Sequence, residues 1–469
     1  MELWAITPEL ALALGFLALL VGGPMLDRRS GVVYGMALLV FGVAAVLTVR
    51  MLEWPSQTVF HGTYALDRFA YFFKLYALLS GAMTLLACWH FFRSATFRAD
   101  VPAILTVTVM AGAMLAASVD LPLVVLSFYL ITASTLILVG LLKTDSLGNE
   151  AALKYFVYSA GATAVLLFGL SLIYGLTGAT SITNSIEGWS WPLPILALGL
   201  AFVGFGFEMA AAPFHMWAPD VYHGAPTPIA GLLSVLPKAA MIAITLRLVT
   251  GVFAPAEPAW RPLLQVVAVL SMVVGNIWAL RQTKLKRLLA YSSIAQIGYV
   301  LVGVSLSARP GGAQAALFYL LVYLFMNLGA FFVVSRMELA SGDCELASYA
   351  GLHHQAPWLA LAFALLLLSL AGVPPLAGYL GKVLILNAAI QSGSAWLAVV
   401  MAVNFALAIY YYLRIIQSMY LEAGNGRLIL GRAALTDVSI AIGVIASVLI
   451  GIAPSAFLTL TGMACNFVG

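Results

Sequence analysis

Apolar residues dominate this chain in long runs, not at the spacing of an amphipathic helix or an alternating strand. Fourteen runs come near or exceed the roughly 20 residues that a helix needs to cross a bilayer. They lie at about 5–26, 31–50, 68–92, 101–118, 121–142, 153–177, 192–218, 227–251, 260–280, 288–307, 313–337, 357–390, 395–421 and 434–459. The connections between them are short, and none is polar enough for a separate soluble domain or a disordered tail. The pattern predicts an all-α polytopic membrane protein of about fourteen transmembrane helices. Composition agrees: 63% of the 469 residues are hydrophobic and 9% are charged, against about 25% charged in soluble domains. The first run has no basic leader and no small-residue cleavage site, so it reads as a span and not as a removed signal peptide.

Charge placement orients the spans. Fourteen basic residues fall in odd-numbered connections: Arg28, Arg29, Arg93, Arg98, Lys143, Lys154, Arg281, Lys284, Lys286, Arg287, Arg336, Arg414, Arg427 and Arg432. Five fall in even-numbered ones: Arg50, Arg68, Arg247, Arg261 and Arg309. The positive-inside rule then makes the odd connections cytoplasmic and puts both termini outside, across a plasma (inner) membrane. Cys88, Cys344 and Cys465 are far apart and form no CxxC or Cys/His cluster, so iron–sulfur and zinc sites are not expected. No Walker, dinucleotide, haem or flavin signature is visible. The chain is therefore expected to hold no cofactor, and its driving force to come from an ion gradient or from partner subunits. Nucleic-acid binding is excluded: the basic run RQTKLKRLLAYSS reads as a cytoplasmic anchor at a span start.

Ionisable residues inside spans cost at least ~2.5–3.5 kcal/mol each, so they mark candidate chemistry. Glu208, in GFEMAAAPFHMW, reads as the one acid well inside a span. Lys238 lies in SVLPKAAMIA, Lys382 in AGYLGKVLIL and Lys74 in AYFFKLYAL. Lys74 is close enough to an end to snorkel to an interface. Lys238 and Lys382 are deeper; each reads as part of a packing ion pair or of a relay. Glu208 reads as a neutral, hydrogen-bonded acid or as a proton site. Proline inside a span removes a donor and clashes with the carbonyl four residues back, and in lipid such a break survives only beside protein or a wet cavity. Pro213 breaks the seventh run, and Pro374 and Pro375 break the twelfth. Two broken helices with ionisable residues beside them match the discontinuous helices of inverted-repeat transporters. Their separation suggests two five-span repeats, spans 4–8 and 9–13, after an N-terminal three-span segment. The expected division is 1–100, 101–251, 252–421 and a C-terminal helix in 422–469. His215, and Ser292, Ser293 and Gln296 in AYSSIAQIGY, are candidate links between the charges, or else helix-packing hydrogen bonds. His353 and His354 read as loop residues.

PFHMWAPDVYHGAPTPIAGLLSVLPKAA, at 213–240, resembles the signature of the antiporter-like N subunit of bacterial NADH:quinone oxidoreductase, complex I. TPELALALG, NEAALKYF, QTKLKRLLAYSSIAQIGY, MNLGAF, LAGVPPLAGYLGK and YYYLR support the likeness over nearly the whole chain. The resemblance implies a proton-translocating membrane-arm subunit of two inverted five-helix repeats with helices seven and twelve broken. It implies partner subunits that carry FMN, iron–sulfur clusters and quinone, and neighbouring antiporter-like subunits. It also implies a glutamate on helix five and lysines on helices seven, eight and twelve. Lys238 and Lys382 match the last two. The helix-five position falls on Tyr129 and the helix-seven position on Glu208, so the usual Glu/Lys pair is absent. An unpaired buried lysine is expensive, whereas a lone glutamate can become neutral by taking a proton, with Tyr129 as its expected hydrogen-bond partner. The expected route runs from the cytoplasmic side past Glu208, Lys238 and the polar groups of span ten to Lys382. The rivals are a subunit of a multisubunit Na⁺/H⁺ antiporter and a non-pumping membrane scaffold.

Overall fold

The computed structural model describes residues 2–25, 30–92, 100–185, 192–424 and 430–465. Arg28, Arg29, Arg93, Arg98 and Arg427, counted in the charge bias, lie outside them. The first part holds α1 (Glu2–Ala5), α2 (Thr7–Met25), α3 (Ser30–Met51) and α4 (Arg68–Phe91). Next come α5 (Asp100–Ala117), α6 (Leu121–Val139), α7 (Ser146–Thr177) and α8 (Pro192–Glu208). The short α9 (Ala218–Gly224) and α10 (Thr227–Leu233) lead to α11 (Leu236–Thr250). Then follow α12 (Glu257–Leu280), α13 (Leu285–Ser305), α14 (Gly312–Ser341), α15 (Leu352–Gln355), α16 (Pro357–Ala371), α17 (Ala377–Gln391) and α18 (Ala395–Leu421). The last helices are α19 (Ala434–Ile452) and α20 (Ser455–Ala464).

Among the described residues, twelve stretches are long and apolar enough to cross a membrane. The seventh and twelfth predicted spans are not among them, because each is cut into shorter helices. Burial sorts the helices by position. The stretch Thr227–Thr250 is buried along its whole apolar window, and α13 and α14 along 94% of theirs, while α2, α3 and α19 bury only 33%. The α10–α11, α13 and α14 helices therefore form the centre, and helices with one greasy outward face surround them. A helix apolar on all sides is what such a position requires.

The fold also contains a feature outside the all-helical expectation. Gln57–Val59 (β1) and Tyr64–Leu66 (β2) pair as an antiparallel ribbon. Its turn holds Phe60, His61 and Gly62 at positive φ. The ribbon delivers Tyr64 to α2, where its hydroxyl donates to Glu9 at 2.6 Å.

Two buried ion pairs correct the sequence reading. Glu9 is 6% exposed and pairs with Lys74 at 2.9 Å, so Glu208 is not the one acid within a span and Lys74 does not snorkel. The Lys74 ammonium also lies 4.9 Å from the Tyr64 ring centre. Arg247, counted above in an outer connection, is 2% exposed. Its Nη2 reaches both Asp67 carboxylate oxygens at 2.9 and 3.0 Å, and its Nε donates to the Ala116 carbonyl at 2.8 Å. Asp67 in turn caps α4 by accepting from the Ala70 amide at 2.7 Å. Removing one partner of a buried pair strands the other charge and costs about 3–5 kcal/mol. Arg247→Met should therefore lower the thermal unfolding temperature of the purified assembly, and adding Asp67→Asn should recover part of the loss. Equal unfolding temperatures for Arg247→Met and the unaltered protein would contradict this.

Candidate functional site

Glu208, Lys238 and Lys382 are each next to a helix interruption. Glu208 is the last residue of α8; the chain then turns through nine residues before α9. Ala210 there sits at φ 55°, a left-handed conformation that costs a non-glycine residue roughly 1–2 kcal/mol. Two of the backbone groups around this break find side-chain partners: Trp217 Nε1 donates to the Phe207 carbonyl at 2.8 Å, and the Ala212 amide to Ser271 Oγ at 2.9 Å. Pro213 itself lies on the outer surface of the loop. The eighth predicted span holds an interruption that the sequence reading missed: α10 stops at Leu233 and α11 starts at Leu236. Pro237 explains it, since its ring clashes with the carbonyl of Leu233. Lys238 follows directly.

The twelfth span is interrupted between Ala371 and Ala377, across Pro374 and Pro375. Lys382 lies on α17 and points back across the gap. Its Nζ donates to the Leu370 and Ala371 carbonyls, both at 2.8 Å. These are carbonyls of the last turn of α16, orphaned by the helix end, and they sit at the negative end of its dipole. Gly372 makes the approach possible: its φ is +88°, and a Cβ there would lie 2.8 Å from Lys382 Cδ. The ammonium also faces the Phe405 and Tyr299 rings at 4.7 and 5.2 Å.

Glu208 is fully buried. Its Oε1 accepts a hydrogen bond from Tyr155 of α7 at 2.8 Å, and that hydroxyl lies 3.1 Å from Thr135 Oγ1. Its Oε2 has no partner among the described residues. The Tyr155 ring packs against Trp217, which packs on Phe207. Tyr129 is not the partner that was expected. It is 46% exposed on the outer face of α6. One residue step turns a helix by about 100°, so with Phe128, Thr132 and Thr135 facing inward, position 129 faces out. His215 also stands apart: it is half-buried in the break loop, and its Nδ1 has no partner.

The span-ten groups do come together. Lys238, fully buried, donates to the Ser293 hydroxyl in a short contact and to the Ser293 carbonyl at 3.3 Å. Ser292 bonds the Tyr412 hydroxyl, which Gln296 Nε2 reaches at 3.2 Å. The same Nε2 lies 3.2 Å from the Leu370 carbonyl that Lys382 also holds. Tyr319 donates to Gln296 Oε1. Between the acid and Lys238 stands Tyr222 of α9, beside Ser293 and within electrostatic reach of Glu208; its hydroxyl makes no bond of ordinary geometry. Hydrogen bonds thus link Ser292, Tyr412, Gln296 and the Leu370 carbonyl to Lys382, and Lys238 is bonded to Ser293, the neighbour of Ser292 on α13.

Residues 118–408 match the transmembrane family described as NADH:quinone oxidoreductase/Mrp antiporter. The NADH-quinone oxidoreductase subunit N of Trichlorobacter lovleyi is 39% identical over 430 residues, 90% of this chain and 88% of that protein. The chain belongs to the NADH:quinone oxidoreductase/Mrp antiporter family. A chain of respiratory complex I from Thermus thermophilus superposes with a TM-score of 0.83 at 33% identity, covering 97% of this chain and 99% of that one. A chain of the Mrp complex from Dietzia superposes at 0.88 with 21% identity, a likeness of fold alone.

The α6 helix carries no acid, Glu208 leans on a phenol, and a Glu/Lys pair stands elsewhere, at Glu9 and Lys74. Tyr155 could have been found in the sequence. It lies in NEAALKYF, quoted for the resemblance, and a phenol near a lone buried acid is its natural donor. Leaving a buried acceptor unsatisfied costs about 1–3 kcal/mol. Tyr155→Phe should therefore lower both thermal stability and proton transport in the assembled complex, while Tyr129→Phe should change neither. The reverse order of effects would remove Tyr155 from the site.

Proposed function

We propose that the chain is the N-type antiporter-like subunit of a complex I-type NADH:quinone oxidoreductase and carries protons across the membrane. The observation that carries this reading is the set of buried polar groups between Lys238 and Lys382: Lys238 bonds Ser293, and its neighbour on α13, Ser292, starts a bonded series through Tyr412, Gln296 and the Leu370 carbonyl to Lys382. Intramembrane ionisable residues in such a line serve ion and proton relays. In the proposed route a proton enters from the cytoplasmic side, passes Glu208, Lys238 and the span-ten groups, and leaves near Lys382, with both termini on the outer side. Spans 4–8 (101–251) and 9–13 (252–421) form two inverted five-helix repeats, a reading supported by the paired interruptions at 209–217 and 372–376. Residues 1–100 and 422–469 flank them.

Moving a proton outward against the field costs about 2.3 kcal/mol per 100 mV. Quinone reduction in partner subunits that hold FMN and iron–sulfur clusters supplies it, through conformational and electrostatic changes in the proton affinity of each site. Neighbouring antiporter-like subunits are its lateral partners. The rival reading, a subunit of a multisubunit Na⁺/H⁺ antiporter, draws on the Mrp half of the family's description and on fold likeness to the Mrp chain.

Glu208→Gln keeps the size and the Tyr155 bond but cannot release a proton. In vesicles carrying the intact complex, Glu208→Gln, Lys238→Ala and Lys382→Ala should each reduce the protons pumped per quinone reduced. Unchanged pumping in all three would leave the scaffold reading standing. Sodium-dependent transport without quinone reduction would instead support the antiporter.

A further inference from the structure

A cavity of about 380 Å³ opens where α9, α10, α13 and α14 meet, on the side that the positive-inside rule makes cytoplasmic. His223, Lys284, Lys286, Glu338, Asp343 and Glu345 line it. Lys286 bonds Glu338 at 3.1 Å and the Ala225 carbonyl at 2.9 Å, and His223 lies 3.2 Å from Lys284. Mixed acids and bases at a wet mouth suit collection of protons, and the inner wall of this mouth leads toward Lys238.

The wall is made of two antiparallel helices with matching patterns. On α10 and its C-terminal cap, going inward, stand Thr227, Gly231 and Ser234; on α14, going inward, stand Glu338, Phe331 and Asn327. Thr227 donates to Glu338 at the outer level. Asn327 Nδ2 donates to Ser234 Oγ at 2.5 Å at the inner level. Tyr323 continues the inner group beside Ser234 and Ser293, and Ser293 holds Lys238. Phe331 fills the level between. It is fully buried, and its Cβ would lie 3.1 Å from a Cβ added to Gly231. Its ring meets Tyr222 edge-on at 6.1 Å. Buried polar atoms without partners remain on either side of it, Ser335 Oγ outward and Asn327 Oδ1 inward. From Glu338 to Phe331 is about 10 Å along the helix, and from Phe331 to Asn327 about 6 Å, so one apolar layer separates two polar compartments.

We propose that this cavity is the cytoplasmic mouth of the route to Lys238, and that Phe331 seated on Gly231 is its gate. The inference rests on the proton-carrying reading above. Water reaches Glu338, which lines the cavity with its side chain 23% exposed, while its donor Thr227 is buried behind it; water reaches Ser234, Asn327 and Lys238 only when the ring leaves the Gly231 notch. Gly231 lets the two helix backbones approach closely enough for one ring to close the gap.

Silver ion applied from the cytoplasmic face of vesicles carrying the whole complex tests the gate. Single cysteines are placed in a chain whose Cys88, Cys344 and Cys465 are replaced by serine, and reaction is read as protection from later alkylation of the unfolded chain. Glu338→Cys, on the cavity wall, should react in every background. Ser234→Cys should react only when combined with Phe331→Ala, or with Phe331→Val if the alanine variant does not assemble. An unreactive Glu338→Cys would overturn the mouth. Ser234→Cys that reacts equally with and without Phe331, or in neither case, would overturn the gate. Labelling needs no turnover, so these outcomes are independent of the pumping measurements on Glu208, Lys238 and Lys382, which bear on the function alone.

Discussion

Every feature of the site follows from one constraint: inside a bilayer, a backbone or side-chain polar group must find its partner within the protein. A continuous helix meets the constraint by itself. An interrupted one does not, and this chain interrupts three helices beside its buried charges. The freed groups at α8 take Trp217 and Ser271. Those at the end of α16 take the Lys382 ammonium. The breaks are thus tolerated because ionisable and polar side chains stand beside them, and the side chains are tolerated because the breaks offer them partners.

The same constraint makes the two broken spans chemically unlike. Lys382 places a cation on the C-terminal carbonyls of α16, where the helix dipole favours it. Glu208 is itself the C-terminal residue of α8, where the dipole opposes a carboxylate. No described cation pairs with it; its one bond is to the neutral Tyr155 phenol. An acid in that place is cheapest to bury as the uncharged carboxylic acid, and Oε2, free of partners, is the oxygen that can carry the proton. A lysine there would need a carboxylate on α6, and α6 supplies none.

The spans, the two proline breaks and the central lysines were legible in the sequence because they depend on local facts: apolar run length, proline chemistry and the cost of burying charge. Partnerships were less legible. Tyr129 was assigned to Glu208 by position in a familiar span, yet helical rotation turns it outward and brings Tyr155 from the next helix. Glu9 and Arg247 lie near the ends of their runs and read as interfacial. Only the tertiary structure, which brings Glu9 of α2 to Lys74 of α4 and Arg247 of α11 to Asp67 at the start of α4, shows that each meets an opposite charge. The interruption before Lys238 was written in LPK, but an apolar run of suitable length on either side masked it.

The Asp67–Arg247 pair and Lys238 share a helix, and this gives the N-terminal segment more than a peripheral role. Arg247 is nine residues beyond Lys238 on α11, about 13 Å along one rigid rod. Asp67 fixes that end of the rod to the start of α4, whose Lys74 is fixed in turn to α2 through Glu9. The other end of the rod begins at the Pro237 break and is free of helical continuity with α10. The buried pairs of the N-terminal segment therefore fix the far end of the helix that carries Lys238, and so help set where Lys238 stands.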